Sequence, residues 1–100
     1  MPMLLTCYYR SPAAALERLA IRDRHIEYIL RHKERIALAG AIDDESGLAV
    51  GMFVGLATES RAQADAFISD EPYNRARLFG SVRIDHLIQF IPHANERPHV

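Results

Sequence analysis

One hundred residues, 49% of them apolar, supply one hydrophobic core and leave no room for a second. With 12 basic residues against 13 acidic ones the formal net charge is −1, which excludes the basic footprint that nucleic-acid backbones and anionic membranes select. The single thiol, Cys7, excludes an intramolecular disulfide, and the apolar run over 3–9 is too short to span a bilayer and follows no basic segment, so a cytoplasmic, unprocessed chain is expected.

The apolar, aromatic stretch 3–10 predicts a strand, and Ser11-Pro12 after it suits the cap and first turn of a helix. That helix runs from 13 to about 32. On its wheel Leu16, Leu19, Ala20, Ile26, Ile29 and Leu30 share one arc. Leu19 lies near the middle of the arc, so its truncation to Ala is expected to cost ~2–5 kcal/mol. Residues 35–42 and 48–57 predict two strands joined by the turn 43–47, in which Asp43-Asp44-Glu45 reads as a solvated tip. Gly51 and Gly55 in the second arm imply a bulge, a strong twist or a close approach.

Ser60-Arg61-Ala62-Gln63 has the spacing of a capping box and opens a second helix to about 69. Pro72 then forces Glu71 out of the helical region, and 74–79 predicts a further helical turn. The last strand, 81–91, places Val82, Ile84, His86, Ile88 and Phe90 on one face and ends at Pro92. The domain is therefore 1–92, and 93–100 is a polar tail, either loose or lying on a partner subunit. The order βαββαβ with right-handed crossovers is the ferredoxin-like α+β arrangement, an antiparallel sheet with two helices on one face. The uncovered face makes a homodimer the expected partner arrangement.

The run Arg18-Leu19-Ala20-Ile21-Arg22-Asp23-Arg24-His25, followed by Ala39-Gly40-Ala41 and by Glu71-Pro72-Tyr73, resembles the YciI-like (YCII-related) family over the chain as far as Ile91. Three positions depart from the family pattern: Ala41 replaces a proline, Glu71 replaces an aspartate with Asp70 one step earlier, and Arg77 replaces a glycine. The resemblance implies a ferredoxin-like fold of the dimeric α+β barrel type and a cleft whose histidine and carboxylate perform acid–base chemistry. It implies small aromatic or enol-like ligands, as for a family relative that dehydrochlorinates a chlorinated hydroxyhydroquinone, and neither metal nor cofactor. Carried onto this chain, the catalytic pair is His25 with Glu71 or with Asp70.

Imidazole is the side chain best suited to exchanging protons near neutrality, which makes His25 the candidate acid–base group; the structural alternative is a hydrogen-bonded helix-edge histidine. Arg22 falls inside the apolar arc and so needs an anionic partner, either a carboxylate such as Glu71 or a bound substrate. His86 interrupts an apolar strand face and is a candidate for lining the cleft, with a core or interface role as the alternative. Tyr8 and Tyr9 point to opposite sheet faces and either could stack on an aromatic substrate; Tyr8 is taken as the substrate-binding candidate, with interface packing as the alternative. His25 and His86 have no third ligand at recognisable spacing, so no metal is expected. Two functions fit these residues: a cofactor-free lyase- or isomerase-type acid–base enzyme acting on a small molecule, and a non-catalytic dimeric binding or interaction module.

Overall fold

The computed structural model describes residues 2–88. The far end of the last expected strand, the limit at residue 92 and the 93–100 tail lie outside the described residues. Strand β1 (Met3–Tyr9) alternates as expected: Met3, Leu5 and Cys7 are buried, and Leu4, Thr6 and Tyr8 face the other way. Ser11 caps α1 (Pro12–Glu17), its hydroxyl accepting from Ala14 N–H at 3.0 Å, and Pro12 occupies the first turn.

The single helix expected over 13–32 is instead two. A 3₁₀ segment, Arg18–Ile21, separates α1 from α2 (Arg22–Arg31). Each of its residues advances about 120° instead of about 100°, so the apolar positions on either side fall out of phase. The consequence overturns one expectation. Leu19 is 57% exposed, and Leu16 and Leu30 are exposed with it, while Ala14, Ala15 and Tyr28 are buried.

A short 3₁₀ turn (Lys33–Arg35) leads into β2 (Ile36–Asp43), which pairs with β3 (Ala49–Leu56) across a tip organised by Asp44. The Asp44 carboxylate accepts from the N–H groups of Ser46 and Leu48, at 2.8 and 3.0 Å. Of the readings open for the β3 glycines, irregular pairing is observed: the β2–β3 register shifts beside Gly55 and beside Gly51. The close approach is by neighbouring strands of the same chain, since a Cβ on Gly51 would run into the Cys7 carbonyl oxygen and one on Gly55 would press into the Leu38 side chain.

Helix α3 (Arg61–Asp70) starts where the capping box places it, with the Ser60 hydroxyl accepting from Gln63 N–H at 3.1 Å. The reciprocal half is rerouted through Thr58, whose hydroxyl donates to Gln63 Oε1 at 2.7 Å and accepts from Ser60 N–H at 3.1 Å. The further helical turn, α4, spans Pro72–Arg75 and so begins and ends earlier than expected; β4 follows as Phe79–His86, starting two residues before the expected strand and ending ahead of Leu87 and Ile88, which lie outside it.

The four strands are antiparallel in the order β2-β3-β1-β4, the ferredoxin-like topology. Met3, Leu5 and Cys7 pair with Leu56, Val54 and Met52 on one side and with His86, Ile84 and Val82 on the other, so all nine share one face. The helices pack on that face over the two central strands, where Phe67, Ile68, Tyr73 and Leu78 complete the core. The outer strands are poorly covered, and Val82 and His86 are exposed. Among the described residues no helix is long and apolar enough to cross a membrane.

Helix α4 closes with a Schellman motif: Arg77 N–H donates to Asn74 C=O at 2.9 Å and Leu78 N–H to Tyr73 C=O at 3.1 Å. The motif needs a left-handed residue, and Arg77 supplies it at φ 59°. This is the position at which the resembled family has glycine. Leu78 and Tyr73, buried at the two ends of the motif, make the apolar contact that accompanies it.

Two expectations follow for stability. Arg77→Gly should raise the unfolding free energy by ~0.5–1 kcal/mol in urea, because glycine adopts this backbone without the Cβ penalty. A loss of stability would mean that the Arg77 side chain contributes more than its backbone costs. Leu5→Ala should cost ~2–5 kcal/mol and Leu19→Ala under about 1 kcal/mol; equal costs would contradict the phase change between α1 and α2.

Candidate functional site

Helix spacing sets the first part of the site. Arg22, His25, Ile26 and Ile29 stand at i, i+3, i+4 and i+7 on α2 and all border one cleft. The opposite wall is the β2–β3 hairpin, where Ala39 and Ala41 leave space beside Met52 and Val54. The cleft holds ≈ 390 Å³, toward the lower end of the range for small-molecule sites.

The carboxylate comes from the α3–α4 junction. Pro72 holds Glu71 extended, at φ −65° and ψ 130°, so that it ends α3 and caps α4 at once. Its side chain is fully buried and satisfied at both oxygens. Oε2 accepts from Asn74 N–H at 3.2 Å, and Oε1 lies 2.6 Å from His25 Nδ1. The Tyr73 ring stacks on the imidazole, with centroids 4.0 Å apart and planes 8° from parallel. The ring is thus held edge-on by a carboxylate and face-on by an aromatic.

This arrangement assigns the two ring nitrogens different tasks. A carboxylate accepts, so Nδ1 carries the proton and the lone pair of the neutral ring lies on Nε2. Nε2 has no hydrogen-bond partner among the described residues, and no buried side-chain nitrogen or oxygen lacks one. Nε2 is therefore not sealed in, and His25 borders the cleft.

Positive charge gathers at the same end. Arg18, on the 3₁₀ segment, donates to the Ala15 carbonyl and sits over the Tyr9 ring, 5.8 Å from its centroid. Arg22 is exposed and makes no ion pair with any described residue. The expectation that Glu71 serves Arg22 is corrected: both oxygens of Glu71 are already engaged. Asp43 is the one carboxylate bordering the cleft among the described residues.

The aromatic groups remain neutral phenols. Burial pushes the Tyr9 hydroxyl up to about 12, and Tyr73 is raised by burial while Arg18 and Arg22 pull it the other way. Cys7 is likewise pushed up to about 12, by burial first and the charge of Glu71 second, which removes it as a thiolate nucleophile.

Of the six residues singled out from sequence, His25, Glu71 and Arg22 come together here. Asp70 lies one residue away but turns to a different groove, beside Tyr28 and His32. Tyr8 is 44% exposed on the open sheet face, and His86 is exposed on edge strand β4; neither borders the cleft. Tyr73 and Arg18 are lining residues that the sequence reading missed, and Tyr9, weighed beside Tyr8, is the one of the pair that borders the cleft. Alternation favours Tyr9, since it shares parity with Met3, Leu5 and Cys7. Arg18 was not legible in the sequence, because its direction depends on the 3₁₀ turn.

No family model matches this chain, and no curated protein matches it. Among solved structures it is similar to 5-chloro-2-hydroxyhydroquinone dehydrochlorinase from Burkholderia phenoliruptrix AC1100, in complex with 2,5-dihydroxybenzoquinone. The two superpose with a TM-score of 0.76 at 21% identity, over 87% of this chain and 93% of that one. At that identity the likeness establishes the fold, an α+β ferredoxin-like sheet with its helices on one face.

Proposed function

We propose that this chain is a YciI-like acid–base protein acting on a small, planar, oxygen-bearing molecule, aromatic or enol-like, bound in the cleft between α2 and the β2–β3 hairpin. The observation that carries the reading is the 2.6 Å contact between His25 Nδ1 and the buried Glu71 carboxylate. It leaves Nε2 as a base facing a space lined by two guanidinium groups. Arg18 and Arg22 hold the ligand's oxygen anion. Nε2 removes a proton next to a carbonyl or phenol and returns it elsewhere, giving isomerisation or elimination. The name of the structural neighbour, a dehydrochlorinase of a hydroxyhydroquinone, supports this substrate class and this type of step.

The uncovered sheet face carries Leu4, Tyr8, Leu38, Ile42 and Phe53, and a second copy of the chain is the partner that would complete it. Light scattering at micromolar concentration should then give about twice the chain mass of 11.3 kDa. A species of single-chain mass alone contradicts the homodimer.

His25→Gln is the direct test of the chemistry. On 5-chloro-2-hydroxyhydroquinone, or another hydroxylated quinone turned over by the parent protein, the variant should lose ~10²–10⁴-fold in turnover while its stability changes by less than about 1 kcal/mol. A stability loss of ~1–3 kcal/mol with unchanged turnover would instead identify His25 as a tether between α2 and the Glu71 turn. Ligands bound without turnover throughout such a panel would favour the binding-module function.

Glu71→Ala should cost ~1–3 kcal/mol on its own, because Asn74 N–H and His25 Nδ1–H both lose their acceptor. Thermal or urea unfolding checks this, and an unchanged midpoint would mean that water replaces the carboxylate freely.

A further inference from the structure

The hydroxyl of the buried core residue Tyr28 has a partner, donating to the Phe67 carbonyl at 2.6 Å. Tyr9 differs. Its ring is fixed on three sides, stacked on Phe79 at 5.5 Å, edge-on to Tyr73 at 6.2 Å and beneath the Arg18 guanidinium. Its hydroxyl nevertheless makes no hydrogen bond with any described residue, and it is not sealed in, because no buried polar side-chain atom is left unpaired. Tyr9 borders the cleft, so this rigidly held donor opens into it. Tyr73 touches both Tyr9 and His25, which places the idle hydroxyl and the imidazole at the same end of the cleft.

We propose that the Tyr9 hydroxyl is the second proton-exchanging group of the site, giving its proton to a ligand oxygen while His25 takes one from the adjoining carbon, so that the ligand class is a keto–enol system. This rests on the acid–base reading of His25. In the step, the C–H bond next to a carbonyl breaks and its proton goes to His25 Nε2. Its electron pair forms the carbon–carbon double bond, and the carbonyl electron pair moves onto oxygen, which takes the Tyr9 proton. Solvent then removes the proton from the imidazolium and returns one to the Tyr9 oxygen, so the net change is keto to enol. Each group suits its half. A phenol raised by burial stays protonated until an anion forms beside it, and the Arg18 cation over the ring steadies the transient phenolate.

The probe is 2,5-dihydroxybenzoquinone, with binding followed by calorimetry and exchange of its ring C–H with D₂O followed by NMR. The parent protein should bind it and accelerate exchange. Tyr9→Phe keeps the ring contacts and removes only the hydroxyl, so it should retain the parental melting temperature, weaken binding about 10-fold or more and slow exchange by a similar factor. Tyr28→Phe, which removes a hydroxyl outside the cleft, should lower stability and leave both readouts unchanged. Parental binding and exchange in Tyr9→Phe would overturn the assignment of Tyr9 while leaving His25 as base. Loss in Tyr9→Phe together with parental exchange in His25→Gln would overturn the base and with it the paired step. No binding of the probe by the parent protein would overturn the ligand class inferred here.

Discussion

The buried Glu71 carboxylate is the constraint around which the rest of the cleft is organised. Removing a carboxylate from water is costly unless its oxygens are paired, and here one oxygen takes a backbone N–H and the other an imidazole N–H. Both pairings follow from one local feature. Pro72 bars Glu71 from continuing α3, the extended backbone makes it the cap of α4, and the cap geometry aims the second oxygen at α2. The Schellman motif at the far end of α4 fixes Tyr73 and Leu78, and Tyr73 then supports the face of the imidazole that Glu71 holds by its edge. The eight residues from Glu71 to Leu78 thus hold the imidazole of another helix in place.

The empty space beside that group has an equally physical origin. The helices bury the central strands β1 and β3 and stop short of β2, whose inward residues Ala39 and Ala41 are too small to fill the gap. Inward parity on β1 brings Tyr9 to the same place, and the 3₁₀ turn brings Arg18. The result is an apolar slot with cations, two phenols and an oriented imidazole at one end. Such a lining suits a planar molecule that carries negative charge on oxygen and gains or loses a proton nearby.

Much of this was legible in the sequence, for reasons that can be named. Strand alternation, the Ser11-Pro12 and Ser60 caps and the Pro72 break gave the element order and hence the topology, since each acts locally. His25 and the Glu71 turn were legible through the motif they share with the YciI-like pattern, yet the choice between Asp70 and Glu71 was not. It depends on which residue becomes the α4 cap, and the proline settles that in favour of its immediate neighbour. The burial of Leu19 was misjudged because a wheel assumes uniform helix, and four residues of 3₁₀ geometry suffice to rotate one face away from the other. Tyr9 was passed over for Tyr8 although parity with Leu5 and Cys7 favoured it. Arg77 shows the converse case: a departure from the glycine of the pattern is accommodated at the same left-handed backbone position, so the motif survives the substitution.

The central claim is that Glu71 fixes the protonation geometry of His25, leaving Nε2 as the base. Long-range ¹⁵N–¹H NMR of the histidine side chains reads this directly, without a ligand or an assay. In the neutral form of His25 the spectrum should show the proton on Nδ1 and an unprotonated Nε2, and in Glu71→Ala this preference should be lost. A proton on Nε2 in the parent protein would contradict the account, because the nitrogen facing the cleft would then be a donor and not the base.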